Sequence, residues 1–231
     1  MAEKPSFENY LFIPLPEEFH KKNFLLLEGK EHGSYSYPDL LVAKTLSHPG
    51  KNWYQSHEAL HQEDFQMPTL RQFVDFLNLL ESGKAFDGKG QKVSSSELEM
   101  ILKEITEQRD PWRGEWLDAD FKKVNKVLHI NYAHQTLKGK LQPQLSEPLR
   151  GCLMEDRTPG IDLNDYLQRA TFQGLPPTDV KSGSLYYWKP LNDNNSVARF
   201  GAGAGWVSLS CRGDPRNSSS ALGVRRAQAK I

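Results

Sequence analysis

The sequence predicts an α+β protein, and three observations predict it. Apolar residues recur at helical spacing over residues 69–80 and again over 94–108. From Trp116 onward the period changes to strand-like alternation. Helices and strands therefore come in blocks and do not alternate as a βαβ repeat requires. No linker rich in Pro, Gly and Ser divides the 231 residues, so residues 1–231 are read as a single domain.

In chain order, Tyr10-Leu11-Phe12-Ile13 is a short strand candidate closed by Pro14 and Pro16. Residues 23–28 form a second apolar run of strand length, and Leu40-Leu41-Val42 a third. The first helix, over 69–80, has Thr69 to cap it. Leu70, Phe73, Val74, Phe76, Leu77 and Leu80 give it one broad apolar face, and Gly83 lies just past its end. The second, over 94–108, begins at Ser94 or Ser95, ahead of Glu97 and Glu99, which favour a helix N-terminus. Leu98, Ile101, Leu102 and Ile105 form its stripe, and Asp110-Pro111 ends it. Residues 121–128 and 129–137 read as strands, followed by a turn at Lys138-Gly139-Lys140. Residues 161–170 suit a short helix capped by Asp162 or Asp165, and β-like runs follow from Ser184.

Composition excludes several function classes. Lys and Arg number 29, Asp and Glu 29, so the net charge is zero and nucleic acid is not an expected partner. Apolar runs are only a few residues long, so membrane insertion is not expected. The first twenty residues carry charges and prolines where a signal peptide needs an apolar core. A cytoplasmic or virion-associated protein is expected in preference to a secreted one. Cys152 and Cys211 are read as reduced, buried thiols, since two cysteines do not make a disulfide framework.

His57-Glu58-Ala59-Leu60-His61 matches H-E-x-x-H. On a helix its imidazoles lie one turn apart and can hold zinc, with the Glu as general base. Glu81 is the nearest tempting third ligand in sequence. A zinc-dependent hydrolase is therefore the alternative function. The charged Gln62-Glu63-Asp64 flank and Pro68 favour a solvated amphipathic turn with partly satisfied histidines instead. The glycine-rich 83–90 segment lacks the Ser or Thr of a P-loop and reads as a surface turn. Arg212-Gly213-Asp214 is an adhesion-like tripeptide, too short to carry a function. Neither a nucleophile elbow nor a Cys-x-x-Cys pair occurs, and no enzyme is expected.

The C-terminal stretch departs from the rest. From Leu191 to Gln228 there is no Lys and no Glu, while Gly, Ala, Ser, Asn and Arg abound. Val207, Leu209 and Cys211 alternate with Ser208, Ser210 and Arg212, as on a strand with its apolar set facing in. Ser196-Val197-Ala198-Arg199-Phe200, Leu209-x-Cys211, Pro215 and Ala221-Leu222-Gly223-Val224-Arg225 together resemble the variable region of the variable proteins of diversity-generating retroelements. Gly50-Lys51-Asn52-Trp53-Tyr54, the 115–121 stretch and Gly183-Ser184-Leu185-Tyr186-Tyr187-Trp188 are similar to the same group.

That resemblance implies a C-type-lectin-like fold, with two helices packed on small antiparallel sheets. It implies a non-enzymatic binding protein whose hypervariable region, 196–227, is rewritten by error-prone reverse transcription at template adenines. Asn codons, the chief targets, yield Gly, Ser, Asp, Arg, Asn and Ala but never Lys or Glu, in keeping with the residues absent here. Carried over by position, the diversified, ligand-binding residues are Arg199, Gly201, Gly203, Trp206, Ser208, Ser210, Arg212, Gly213, Asp214, Asn217 and Ser219. Leu209, Cys211, Pro215, Leu222, Gly223 and Val224 are the fixed scaffold. Trp206, Arg199 and Arg212 are the expected energetic anchors. The implied partner is a protein or cell-surface molecule. No cofactor is expected, and the calcium ligands of sugar-binding relatives are not carried over.

Overall fold

The structure, a computed structural model, describes residues 21–230. The strand expected at residues 10–13 lies outside them. The protein is α+β. Its first strands are β1 (Phe24–Leu27), the short pair β2 (Lys30–His32) and β3 (Tyr35–Tyr37), and β4 (Leu40–Ser47). Three helices follow: α1 (Trp53–Gln62), α2 (Leu70–Glu81) and α3 (Ser95–Thr106). Then come β5 (Arg113–Val124), β6 (Val127–Leu137), β7 (Lys140–Pro148), β8 (Arg157–Ile161), α4 (Leu163–Arg169) and β9 (Leu185–Trp188). The chain closes with β10 (Ser196–Gly203), β11 (Trp206–Gly213) and β12 (Leu222–Ala229).

Among the described residues, ten strands join into one sheet, ordered β1-β4-β12-β5-β10-β11-β9-β8, with β6 and β7 branching from β5. The sheet is thus larger than the small antiparallel sheets expected. It is also mixed, because β12 runs parallel to β5 and β11 parallel to β9. β5 makes the branch possible by changing partners along one edge. Gly114, Glu115 and Trp116 pair with β12, whereas residues 120–124 pair with β6.

The helices cover opposite faces. On one, Phe73, Val74, Phe76 and Leu77 of α2 and Leu98, Ile101 and Ile105 of α3 pack on Leu117, Ala119, Ala198, Phe200, Leu209 and Cys211. On the other, Trp53 and Leu60 of α1 pack with Trp116, Val197, Leu222 and Val224. Helix α2 starts where the sequence places it, through a capping box between Thr69 and Gln72. Ser94 caps α3 and Asp162 caps α4, deciding between the alternatives at each. Cys152 and Cys211 are free and buried.

Two local expectations are corrected. The H-E-x-x-H segment is no solvated turn: α1 is capped by a box between Asn52 and Gln55 and buries Trp53, Ser56, His57 and Leu60. Ser and His within that inner stripe disguise its amphipathic period. The first long hairpin turns at Asn125-Lys126, three residues before the expected break, with both residues at positive φ. Lys138-Gly139 shares that geometry and is the turn the sequence does predict, because its glycine advertises it. The turn leads into β7, a full strand although its burial pattern does not alternate cleanly.

Candidate functional site

The three C-terminal strands create a face by their register. Residues directly opposed on neighbouring strands point to the same side of a sheet. One row across the sheet reads Val224, Trp116, Arg199, Ser210 and Trp188. The next row on the same side reads Leu222, Gly114, Gly201, Ser208 and Tyr186. Beyond it Gly203 opposes Trp206. The alternate row, Gly223, Glu115, Phe200, Leu209 and Tyr187, faces the α2–α3 side. Helix α1 covers the Val224–Trp116 end of the first face. Towards β9 the face carries Arg199, Trp206, Tyr186 and Trp188, all half-buried.

The sequence-designated residues fall into two groups. Arg199, Gly201, Gly203, Trp206, Ser208, Ser210 and Arg212 share this one face by strand alternation. Ser208 and Ser210 are nonetheless buried, at 7% and 4% exposure, as the floor between larger neighbours. Arg212 stacks on Trp188, its guanidinium 4.5 Å from the ring centre, and pairs with Asp156. The Arg199 guanidinium lies 5.6 Å from the Trp112 ring. Gly213 ends β11, and Asp214, Asn217 and Ser219 belong to the following loop, whose own backbone they bind. Asp214 accepts from the Arg216 N–H at 2.9 Å, Asn217 from the Ser219 N–H at 3.0 Å, and Ser219 from the Ala221 N–H at 3.2 Å. Of these three loop residues only Asp214 is exposed.

Two glycines are held small by the main chain. A Cβ on Gly201 would lie 3.0 Å from the Arg113 carbonyl oxygen, and one on Gly213 3.1 Å from that of Val197. Both are tighter than side chains ordinarily tolerate.

Sequence reasoning missed three aromatic members of this region. Tyr186 and Trp188 alternate with the buried Tyr187, and that Tyr-Tyr-Trp alternation is the signal that could have found them. Trp112 borders a cleft of about 460 Å³ lined also by Arg109, Arg113, Pro49, Ser220 and Ala221. Through Trp112 the cleft adjoins Arg199.

The zinc motif does not assemble as the sequence suggests. His57 is buried, and burial pushes its imidazole down to about 3, so it is neutral at ordinary pH. Glu58, about 100° further around the helix, is exposed. His61 is partly exposed, with Nδ1 2.9 Å from the Thr136 hydroxyl. Glu81 ends α2, where burial and then the nearby Asp162 charge raise its carboxyl. The groups brought to His57 are Asp118 of β5 and His134 of β6. The 83–90 segment is a turn between α2 and α3, as expected.

No family model matches the chain, and neither a curated protein nor a solved structure does. Among the described residues, no helix is long and apolar enough to cross a membrane.

Proposed function

We propose that the chain is a non-enzymatic ligand-binding protein of the diversity-generating-retroelement kind, with a C-type-lectin-like arrangement and a diversified recognition surface within 196–227. One observation carries the reading. Seven positions designated through the family resemblance, Arg199, Gly201, Gly203, Trp206, Ser208, Ser210 and Arg212, fall on a single sheet face. Their sequence neighbours Phe200, Leu209 and Cys211 are packed in the core on the opposite side. A rigid scaffold with interchangeable outward residues suits a surface that changes while the fold persists. The ligand is a protein or cell-surface molecule contacted by Trp206, Tyr186, Trp188 and the two arginines, residue types that dominate binding energy. No cofactor takes part.

Sequencing the locus from several isolates tests this. Differences should concentrate at 199, 206, 208, 210 and 212, with Gly201 and Gly213 confined to small residues. Phe200, Leu209 and Cys211 should stay fixed. A near-repeat of the segment and a reverse-transcriptase gene should lie nearby. Their absence, or differences spread equally over both faces, overturns the reading.

A further inference from the structure

Under α1, on the same side of the sheet as the recognition face but covered by the helix, three side chains from three elements meet in the interior. His57 of α1, Asp118 of β5 and His134 of β6 are 1%, 3% and 5% exposed. Each offers one ligand atom, and these atoms lie within 4.8 Å of one another. The His57 Nε2 lies 3.6 Å from Asp118 Oδ1, and the His134 Nδ1 lies 2.5 Å from the same oxygen. The place is built. Asp118 sits where β5 passes from β12 to β6, and its second oxygen accepts the His134 backbone N–H at 3.0 Å. Ala133 takes a left-handed conformation, φ 54°, immediately before His134. Trp53 walls the group, its ring centre 4.3 Å from that of His57 and 5.0 Å from that of His134, and donates its own N–H to the Leu117 carbonyl.

What remains unexplained is His57. Neither of its ring nitrogens has a hydrogen-bond partner among the described residues. Interior polar groups are almost always partnered, so a fully enclosed imidazole aimed at a carboxylate and a second imidazole points to a missing ligand. Two imidazoles and one carboxylate are a donor set for zinc and its neighbours among the divalent transition metals. Tetrahedral zinc holds its ligand atoms about 3.3 Å apart, inside the range of separations found here, from 2.5 Å to at most 4.8 Å. We propose that His57, Asp118 and His134 bind one zinc-class divalent cation, which pins α1 to the β5–β6 hairpin. Three protein ligands leave the fourth position of the ion to a small donor such as water, its burial assigns it a role in holding α1 and not in catalysis, and the proposal stands whether or not the C-terminal face varies.

The test strips the full chain with chelator, adds zinc, removes excess by gel filtration and measures bound metal and melting temperature. The expected result is one zinc per chain and a raised melting temperature, both lost in His57→Phe and His134→Gln and both kept in His61→Ala. His57→Phe preserves the packing against Trp53, so it reports on metal in a folded protein. Wild-type protein that retains no stoichiometric zinc overturns the proposal, as does zinc retained equally by His57→Phe or lost only in His61→Ala.

Discussion

Arg225 is 1% exposed, and its guanidinium lies 3.0 Å from Glu115, itself 3% exposed. The same side chain donates to the carbonyls of Ala43 at 2.8 Å and Lys44 at 2.7 Å and lies over the Phe76 ring. One residue thereby joins β12, β5, β4 and α2. Desolvating both charges is costly, so the pair is weak evidence for net stability, but removing one partner strands the other. Arg225→Met is expected to cost about 3–5 kcal/mol in urea unfolding, and a loss under about 1 kcal/mol would contradict this account. In the sequence Arg225 appears only as the last residue of the Ala221–Arg225 motif that carries the family resemblance. Its burial was not legible, because the compensating Glu115 is 110 residues away and pairing across strands leaves no local trace. The alternation of Val207, Leu209 and Cys211 with Ser208, Ser210 and Arg212 was legible locally, whereas Arg199 and Trp206 were designated only through the family resemblance. Asp118 and His134 were not legible beside His57, since nothing in local spacing links a helix to two strands far downstream.

Helix α2 shows how far an element can be read and where reading stops. Its apolar face and its Thr69 cap are in the sequence as found. The charged side of the helix is not. There Asp75 receives Arg71 at 2.8 Å, Tyr37 at 2.7 Å, His32 at 2.8 Å and Lys30 at 3.2 Å, which lashes the β2–β3 pair to the helix. Burial alone would raise the Asp75 carboxyl. The Arg71 charge and the hydrogen bonds from Arg71 and Tyr37 outweigh it and hold the group below its ordinary 3.8. A carboxylate depressed in the folded state contributes stability above its unfolded pKa and loses it as pH falls through the folded value. Wild-type stability should therefore drop steeply below about pH 4. Asp75→Asn should be less stable at neutral pH and show a shallower acid limb in denaturation followed by circular dichroism. An unchanged acid limb would mean that this cluster does not govern acid unfolding. Two element-level errors, one in a hairpin and one in a helix, have the same physical origin. Asn125-Lys126 turns without glycine, and the inner stripe of α1 contains Ser56 and His57, so neither signal was apolar or glycine-rich enough to announce itself.

The two sides of the sheet are packed differently across the whole molecule. Leu209 belongs to the core under α2 and α3, whereas Trp206, three residues earlier, is half-buried on the opposite side. Tolerance to substitution should follow that division. Leu209→Ala is expected to cost about 2–5 kcal/mol, the range for an emptied core site. Trp206→Ser is expected to cost about 1 kcal/mol or less, as for a substitution outside the core. Thermal or urea unfolding of the two variants checks this, and the reverse order would remove the basis for calling the Trp206 side a variable face. At this scale the α+β class was legible from the blocks of period along the chain. The ten-stranded mixed sheet was not, because the parallel pairing of β12 with β5 joins residues more than a hundred positions apart.

Gly203 and Trp206 oppose each other across β10 and β11, and a Cβ on Gly203 would sit 2.5 Å from the indole carbons. The two positions are therefore not independent letters of an alphabet. Where 203 is glycine, an aromatic at 206 can lie flat across the strand. Where 203 gains any side chain, the residue at 206 must shrink or swing away from the sheet. A repertoire drawn at these sites is smaller than the product of its separate choices. If the face is diversified as proposed, the shortfall will show among sibling genes as a correlation between two codons.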